Sequence, residues 1–572
     1  MPHNEACSVN NTVTMSSPDK AIWVLIGLGA AFYLPFLGGV HLFDWDEINF
    51  AEISREMLLT GEFFRPQINY MPFWEKPPLF FWLQALAMSV FGIGEYAARL
   101  PNALTGIATL VILYLMGRRL HSYRFGFIWA GVYFGSVLPF LYFKSGIIDP
   151  LFNLFIFSGI YVFILGVWKR RGLRVVRNSA PEWSYMAASG ALIGLAMLTK
   201  GQAGFLIAAL TIGVYWISRR FAKFVTLPQL VLFSVVAVLV TGFWYGAETL
   251  RNGPWFVTEF VTYQIRLFST PDAGHGGFPG YHVVVLLFGV FPASIFAIRA
   301  FGALPPPMQL HQRDMLRWMK VLFFVVLVLF SVVQSKIVHY SSLCYFPMTY
   351  LAAVVIGHLI SGQIRLSNWM KIMLLLIGGL FVIATLALPV VGRQAAVLAP
   401  LFDDPFARGN LEAAVTWPWA TFLPGLFLIG IMVAFFGLYA RKNVHAAFSV
   451  LFGGTAIFVM LSLIAFIGRI EAFSQRAAIE FFEDTVAETD AYKTVYGYKS
   501  YAHLFYGNRR PTSNPELTYL NDSLIFGTPD KDVYIVTKIH KADALRAVEG
   551  LREIGGKNGF VFFVREREKP SE

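Results

Sequence analysis

Long apolar runs separated by short polar loops fill most of the chain. About thirteen runs approach the roughly 20 residues that an α-helix needs to cross a bilayer. In chain order they are Ala21–Val40, Asn102–Gly117, Phe125–Phe143, Leu151–Trp168, Tyr185–Leu198, Ala203–Ile217, Leu227–Tyr245, Tyr281–Ala300, Val321–Val333, Leu343–Ile360, Ile372–Val391, Trp419–Leu438 and Ala447–Ile467. The pattern predicts a polytopic α-helical membrane protein.

One further apolar run is too short to belong to this series. Pro78–Phe91 holds 14 residues. If it crossed the membrane, every later basic loop would change sides. We therefore predict an amphipathic helix that lies in the membrane interface and continues a group of outer-face helices over residues 43–92.

The last hundred residues have a different pattern. Glu471–Glu572 is polar, with strand-like stretches at Thr494–Tyr498, Asp532–Thr537 and Phe560–Val564 and a helix-like stretch at Lys541–Ile554. The predicted organisation is a cytoplasmic tail over residues 1–20, a transmembrane domain over 21–470 and a small soluble α/β domain over 471–572. By the count of spans, that soluble domain lies on the outer face of the membrane.

Composition agrees with the pattern. The 572 residues are 56% hydrophobic and 14% charged, which is more apolar than a soluble protein of this size requires. The net charge of +11 would also suit a nucleic-acid partner, but the basic residues lie in alternate loops, where they orient spans. Those loops are predicted to be cytoplasmic. The two cysteines, Cys7 and Cys344, support neither a disulfide framework nor a cysteine metal site.

Charged and polar residues collect at the opposite ends of the predicted spans. The stretch Phe43–Pro78 carries the densest group, and the others are spread over some three hundred residues of sequence. The set is Asp44, Asp46, Glu47, Glu75, Lys76, Lys144, Asp149, Lys200, Arg266, Asp272, His275, His282, Lys336, His339 and Tyr340. Because all of them face one side, we predict a single external site.

The acids after the first span have two interpretations. A carboxylate at a membrane surface, Asp46 above all, can accept a proton from an acceptor hydroxyl, and Glu47 lies beside it. Alternatively, both acids stabilise the start of the following helix. Nearby, Glu75 and Lys76 precede two prolines, an arrangement that suits a metal or a phosphate but also an ordinary surface turn.

Two lone charges mark the ends of other spans. Asp149 stands against an apolar background, where an unpaired charge is expensive, so a partner or a function is expected. Lys200 is the matching base, for which snorkelling to the interface is the simpler interpretation.

The later outer loops add candidate phosphate and metal ligands. Arg266 suits bidentate phosphate binding, and Lys336 and Tyr340 are placed to reach a phosphate at the membrane surface or to form an interfacial belt. His275 and His339 are candidate metal ligands, although the histidine spacing fits no standard metal site and structural or solvent-facing roles are the favoured interpretation.

Taken together, these motifs resemble those of a known family. Asp46–Glu47 after the first span, AEISREML, Glu75–Lys76–Pro77, Asp149–Pro150, the LTKG ending at Gly201, QIRLF around Arg266 and Lys336 four residues before Tyr340 follow one another in an order similar to that of the aminoarabinose transferases. These belong to the protein O-mannosyltransferase-like branch of the GT-C glycosyltransferases.

The resemblance implies an inverting transfer of a sugar from a polyprenyl-phosphate carrier to a lipid A, glycan or protein acceptor on the periplasmic face. It gives Asp46 the place of the key carboxylate and Glu75 a metal-associated position, with a divalent metal as a possible cofactor. Lys76, Arg266 and Tyr340 match residues near the carrier phosphate, and Asp149 and Lys200 match further functional positions.

The sequence also departs from that family. KIVHY lacks a proline typical of the aminoarabinose enzymes, HGGFPGYH is additional, and Tyr263 and Gln264 stand where a histidine is expected. A transporter or flippase of a lipid-linked sugar is the main alternative, but it would place functional charges in the middle of spans. A non-catalytic membrane scaffold would leave the external charges unexplained.

Overall fold

The computed structural model of the protein describes residues 20–173, 175–176, 179–269, 276–306, 308–487, 491–511 and 521–567. Within these residues, eight helices are long and apolar enough to cross a membrane. They are Glu95–Leu120, Asp149–Arg170, Leu227–Asn252, Leu310–Val332, Val338–Ile360, Asn368–Arg393, Trp419–Ala440 and Val444–Ala472.

Two pairs of shorter apolar helices are each bent at a short break. Tyr123–Phe134 and Val137–Lys144 meet at 83°, and Tyr281–Gly289 and Ala293–Ala300 meet at 115°. Pro292 immediately precedes the second half of the latter pair, where a residue without an N–H interrupts helical hydrogen bonding.

All thirteen predicted segments overlap a helix or one of these pairs. The segments outside the ten are covered by Lys20–Tyr33, Glu182–Lys200 and Ala203–Ser218. The polytopic α-helical fold is confirmed. The count of thirteen crossings and the direction in which they face stay predictions.

The outer-face helices form between the first helix and Glu95–Leu120. Asp46–Thr60 is a helix that ends at Gly61, whose φ of 75° favours glycine. A two-residue hairpin, Gln67–Ile68 with Met71–Pro72, leads to the helix Leu79–Phe91. At 13 residues this helix is about 20 Å long, shorter than a bilayer core of about 30 Å, which supports its predicted interfacial position.

The carboxy-terminal part contains a four-stranded sheet. Its strands are Tyr492–Tyr496, Val533–Lys538, Leu551–Lys557 and Phe560–Arg565. Tyr492–Tyr496 pairs in parallel with Val533–Lys538, which pairs antiparallel with Phe560–Arg565, and Leu551–Lys557 forms the antiparallel edge. The three predicted strands are therefore present, shifted by one or two residues, and the edge strand is additional.

The predicted helix over Lys541–Ile554 is wrong in its second half. The helix covers only Ala542–Arg546, and Leu551–Lys557 is a strand. The cause is the turn at Asn558 and Gly559, with φ values of 50° and 81°, since Asn-Gly is the preferred pair for a two-residue hairpin turn. This turn pairs Lys557 with Phe560 and overrides the local helical pattern.

The carboxy-terminal part docks on the outer-face segment. Asp44 accepts hydrogen bonds from the Ser500 hydroxyl and from the Tyr501 N–H, the latter at 3.1 Å. Arg55 donates to the carbonyl oxygen of Arg509 at 2.6 Å. The Asp46–Thr60 helix is therefore held between the membrane helices and the carboxy-terminal sheet. The predicted boundary at residues 470 and 471 stays a prediction.

Candidate active site

Two predicted lone charges form a pair. Asp149 is the first residue of the helix Asp149–Arg170, and Lys200 is the last residue of Glu182–Lys200. Lys200 Nζ donates to Asp149 Oδ1 at 2.6 Å, and the Asp149 side chain is only 4% exposed. An acid at a helix start and a base at a helix end also suit the helix dipoles, so packing these two helices side by side produces the pair.

His339 connects this pair to Asp46. Its Nε2 lies 3.7 Å from Asp149 Oδ2 and 3.6 Å from Asp46 Oδ2. Asp149 Oδ2 has no hydrogen-bond partner among the described residues, whereas the Asp46 side chain is 44% exposed. Lys200, Asp149, His339 and Asp46 thus form a row of alternating basic and acidic groups that runs from a buried end to an open one.

A cavity of about 320 Å³ borders the buried end of this row. Its polar residues are Lys76, Asp149, Asn153, Lys200, Gln202, Gln264 and Tyr340. The rest of its wall is mostly apolar and includes Phe152, Leu206, Ile207, Ile265, Leu329, Phe330, Val333 and Leu343. A predominantly apolar cavity with a few convergent polar groups is typical of a site for an amphipathic ligand.

Aromatic rings position the cations of the site. Lys200 Nζ lies 5.0 Å from the ring centre of Tyr340. Lys76 Nζ and Arg266 Cζ lie 4.8 and 5.2 Å from the ring centre of Tyr263. Tyr263, which stands in place of the histidine expected from the family resemblance, therefore contacts two of the predicted phosphate ligands through cation–π interactions.

Glu47 belongs neither to the His339 row nor to the lining of the first cavity. Arg99 Nε and Nη2 donate to its two carboxylate oxygens at 3.0 and 2.8 Å, and the N–H groups of Phe43 and Gly146 donate to the same oxygens at 3.0 and 2.5 Å. Burial by itself raises the pKa of Glu47, but the charge and hydrogen bonds of Arg99, with those two N–H groups, bring it below its usual value. This bonding pattern is that of a structural ion pair.

Glu47 and Arg99 border a second cavity, of about 340 Å³. Lys144 and the π-helical turn Leu463–Ile467 contribute to its wall. The sequence analysis did not single out Arg99, although an arginine in an otherwise apolar helix is itself a signal, because such a charge requires partners.

The Lys336 ammonium binds backbone carbonyls and does not line the first cavity. Its Nζ donates to the carbonyl oxygens of Phe330, Ser331 and Val333 at 3.1, 2.7 and 2.5 Å. These carbonyls lie at the end of the helix Leu310–Val332, where the backbone offers acceptors without intrahelical donors. The proposed phosphate role of Lys336 stays a prediction.

The predicted metal ligands do not come together. Glu75 Oε2 lies 4.0 Å from Lys76 Nζ, His339 lies in the row described above, and His275 falls outside the described residues. Among the residues that the structure describes, no three His, Cys, Asp or Glu side chains are arranged to hold a metal ion. No chemical step is therefore assigned to a metal, and the metal stays a prediction.

Asn153 is a residue of the site that the sequence analysis missed. Its Nδ2 donates to Ser342 Oγ at 2.7 Å, which fixes the segment that carries His339. It follows Asp149 by four residues on one helix and therefore lies on the same face, a spacing that was readable from the sequence.

The sequence is similar to those of known proteins. A family model described as dolichyl-phosphate-mannose-protein mannosyltransferase matches residues 75–245. The undecaprenyl phosphate-alpha-4-amino-4-deoxy-L-arabinose arabinosyl transferase of Pectobacterium carotovorum is 25% identical over 61% of this chain and 62% of its own length. The enzyme of the same name from Photorhabdus laumondii is also 25% identical, over 64% of each chain. This chain thus spans less than two thirds of these relatives.

A solved structure resembles nearly the whole fold. The crystal structure of ArnT from Cupriavidus metallidurans bound to undecaprenyl phosphate superposes with a TM-score of 0.74 at 18% identity, covering 97% of this chain and 100% of that one. The apo form of the same protein gives a TM-score of 0.72. At this identity the likeness shows the fold, which is the predicted GT-C fold.

Proposed function

From its GT-C fold and its similarity to the aminoarabinose transferases, we propose that this chain is an inverting glycosyltransferase of a bacterial inner membrane. It moves a sugar from a polyprenyl-phosphate carrier to a lipid A, glycan or protein acceptor on the periplasmic face. The observation that carries the proposal is the cavity whose apolar wall ends at Lys200, Asp149 and Lys76. A lipid chain fits that wall, and its phosphate fits the cations.

In the proposed reaction, an acceptor oxygen attacks the anomeric carbon from the face opposite the carrier. The bond between that carbon and the carrier phosphate breaks, and the phosphate leaves with the electron pair. Lys200 and Lys76 stabilise the negative charge that develops, because preorganised cations act most strongly in a poorly hydrated site. Lys200 can do this while bound to Asp149, since an ammonium carries three donors.

Asp46 faces the acceptor. Its exposed carboxylate lies at the open end of the row, where it takes the proton of an acceptor hydroxyl. His339, within 4 Å of both carboxylates, orients Asp46 relative to Asp149. If the acceptor is a phosphate, no strong base is required, and Asp46 then positions the acceptor and balances charge.

The test is transfer by the purified protein from radiolabelled polyprenyl-phosphate sugars to candidate acceptors. With a hydroxyl acceptor, we expect Asp46→Asn to lower the rate by about 100-fold or more. The matched control is Asp403→Asn, which changes an exposed carboxylate away from the cavity. Equal transfer by wild type and Asp46→Asn would remove Asp46 from the mechanism. An absence of transfer from every donor would favour transport of the lipid-linked sugar.

A further inference from the structure

The carboxy-terminal part contains a cavity unlike the two in the membrane region. It has a volume of about 330 Å³ and is lined by the strand residues Tyr492 and Lys493, by the segment 507–511 and by Asp530 and Lys531. Four of its lining side chains are cationic, those of Lys493, Arg509, Arg510 and Lys531, and one is a carboxylate. Its wall is therefore polar and positively charged.

Arg509 is one of two buried cations that line this cavity, with Lys493. Arg509 is 6% exposed, and its Nε and Nη2 have no hydrogen-bond partner among the described residues. Burial lowers the pKa of Arg509, while the hydroxyls and acids nearest to it act in the opposite direction. A buried cation normally binds an acceptor, so two unpaired guanidinium nitrogens on a residue that lines a cavity indicate a ligand.

The two unpaired nitrogens of Arg509 lie side by side in an arrangement that suits an oxyanion. Nε and Nη2 form one edge of the guanidinium plane, and that edge donates two parallel hydrogen bonds to an oxyanion. The guanidinium lies over the aromatic ring of Tyr492, with Arg509 Cζ 5.2 Å from the ring centre. This cation–π contact helps to position the guanidinium plane.

Among the described residues that line the cavity, Asp530 is the one carboxylate, and its Oδ1 accepts a hydrogen bond from the Tyr492 hydroxyl at 3.1 Å. The described lining thus has more cationic than anionic side chains, which suits an anionic ligand.

The backbone of Arg509 faces the other way. Its carbonyl oxygen accepts hydrogen bonds from Arg55 at 2.6 Å and from the Tyr70 hydroxyl at 2.7 Å. One residue thus presents its side chain to the cavity and its main chain to the outer-face helix that carries Asp46.

We propose that this cavity binds a phosphate-type oxyanion, held by two hydrogen bonds from the Nε and Nη2 edge of Arg509 and by the charges of Lys493, Arg510 and Lys531. The ligand is a free phosphate, a soluble phosphate monoester or the headgroup of an anionic phospholipid. This site is separate from the polyprenyl-phosphate cavity and goes beyond the proposed function.

The first experiment titrates the full-length protein in detergent with inorganic phosphate at constant ionic strength. We expect phosphate to raise the unfolding temperature by mass action, and isothermal titration calorimetry to report binding. Arg509→Gln should weaken phosphate binding at least about tenfold. The matched control is Arg552→Gln, which removes an exposed arginine of the same domain that is paired with Glu566.

A second variant separates this site from the donor cavity. Lys76→Gln changes the donor cavity only. Phosphate binding at the Arg509 site should therefore be the same in this variant as in the wild type. Should Arg509→Gln fail to fold, Arg510→Gln is the substitute, because Arg510 is exposed, and it should also weaken phosphate binding. An unchanged affinity in that variant, or in Arg509→Gln, would overturn the proposal.

The source of the phosphate is distinguished by the probe. Glycerol phosphate represents a soluble monoester, and nanodiscs of phosphatidylglycerol compared with phosphatidylcholine represent a lipid headgroup. A response through Arg509 to either probe supports the site and identifies its ligand. A wild type that responds to none of the three phosphates contradicts it.

Discussion

The pairing of Asp149 with Lys200 decides how each residue behaves. The two are 51 residues apart in sequence, and each was predicted as a lone charge with a separate alternative. The need of Asp149 for a partner was predictable from its apolar surroundings, but the identity of that partner was not, because it depends on which helices pack together.

Breaking this pair should be costly. Lys200→Gln leaves a buried carboxylate without its cation, so we expect a loss of roughly 3 to 5 kcal/mol in the free energy of unfolding and little remaining transfer. Thermal unfolding in detergent measures the first quantity. The double variant Asp149→Asn, Lys200→Gln removes both charges and should recover much of the stability. A double variant as unstable as the sum of the single ones would show that the pair contributes nothing.

Glu47 gives a prediction that depends on pH. Its folded-state pKa lies below the usual value of 4.5, so the stability from its charge is fully present above about pH 4.5 and is lost as the pH falls through the folded-state pKa. Glu47→Gln should lower the unfolding temperature at pH 7, because Arg99 loses its carboxylate.

The difference between wild type and Glu47→Gln should shrink as the pH falls below about 4.5. Unfolding temperatures of both proteins from pH 7 to pH 3.5 measure it. A difference that stays constant over this range would contradict a charged role for Glu47.

Among the elements, the bent pair Tyr123–Phe134 and Val137–Lys144 depends on a close backbone approach at Gly135. A Cβ at this position would lie 2.2 Å from the carbonyl oxygen of Phe452 and 2.6 Å from its Cα. The neighbour is backbone and cannot move alone. Only a glycine permits this approach. Gly135 is visible in the sequence, but its contact with the Phe452 backbone could not be predicted from it.

Gly135→Ala should therefore destabilise the protein by roughly 3 kcal/mol, as measured by its unfolding temperature in detergent. Gly131→Ala is the matched control, since a Cβ there meets nothing within 4 Å and alanine favours the helix. Equal unfolding temperatures of the two variants would show that the close contact between Gly135 and Phe452 does not limit the side chain at this position.

Elements also show where local pattern is a good guide. The apolar runs predicted the membrane helices because a span must be apolar over most of its length. The helix expected over Lys541–Ile554 failed because the Asn558–Gly559 turn and its partner strand outweighed a short helical pattern. The contacts of Lys336 with the helix carbonyls could not be predicted, because a sequence does not show which helix end lies within its reach.

For the whole molecule, the main question is how the carboxy-terminal part is attached. Tyr506 contributes to its docking, since its hydroxyl accepts the Leu42 N–H at 2.6 Å and contacts Glu95 at 3.1 Å. Tyr506→Phe leaves a buried N–H unpaired, at a cost of about 1 to 3 kcal/mol. We expect faster limited proteolysis between the last membrane helix and the sheet, and slower sugar transfer.

Tyr498→Phe is the control for that experiment. The Tyr498 hydroxyl is buried without a hydrogen-bond partner among the described residues, so its removal should leave docking unchanged or strengthen it. Equal cleavage of the two variants would mean that the Tyr506 hydroxyl does not hold the domains together.

The Asp46–Thr60 helix has one consequence for regulation. It places Asp46 at 3.6 Å from His339, and its Arg55 holds the main chain of Arg509. A ligand in the carboxy-terminal domain that displaces this helix changes the affinity of the sugar donor. By thermodynamic linkage, the donor then changes the affinity of that ligand by the same factor. Binding curves of the sugar donor with and without the second ligand, and of that ligand with and without the donor, would give the coupling free energy between the two sites.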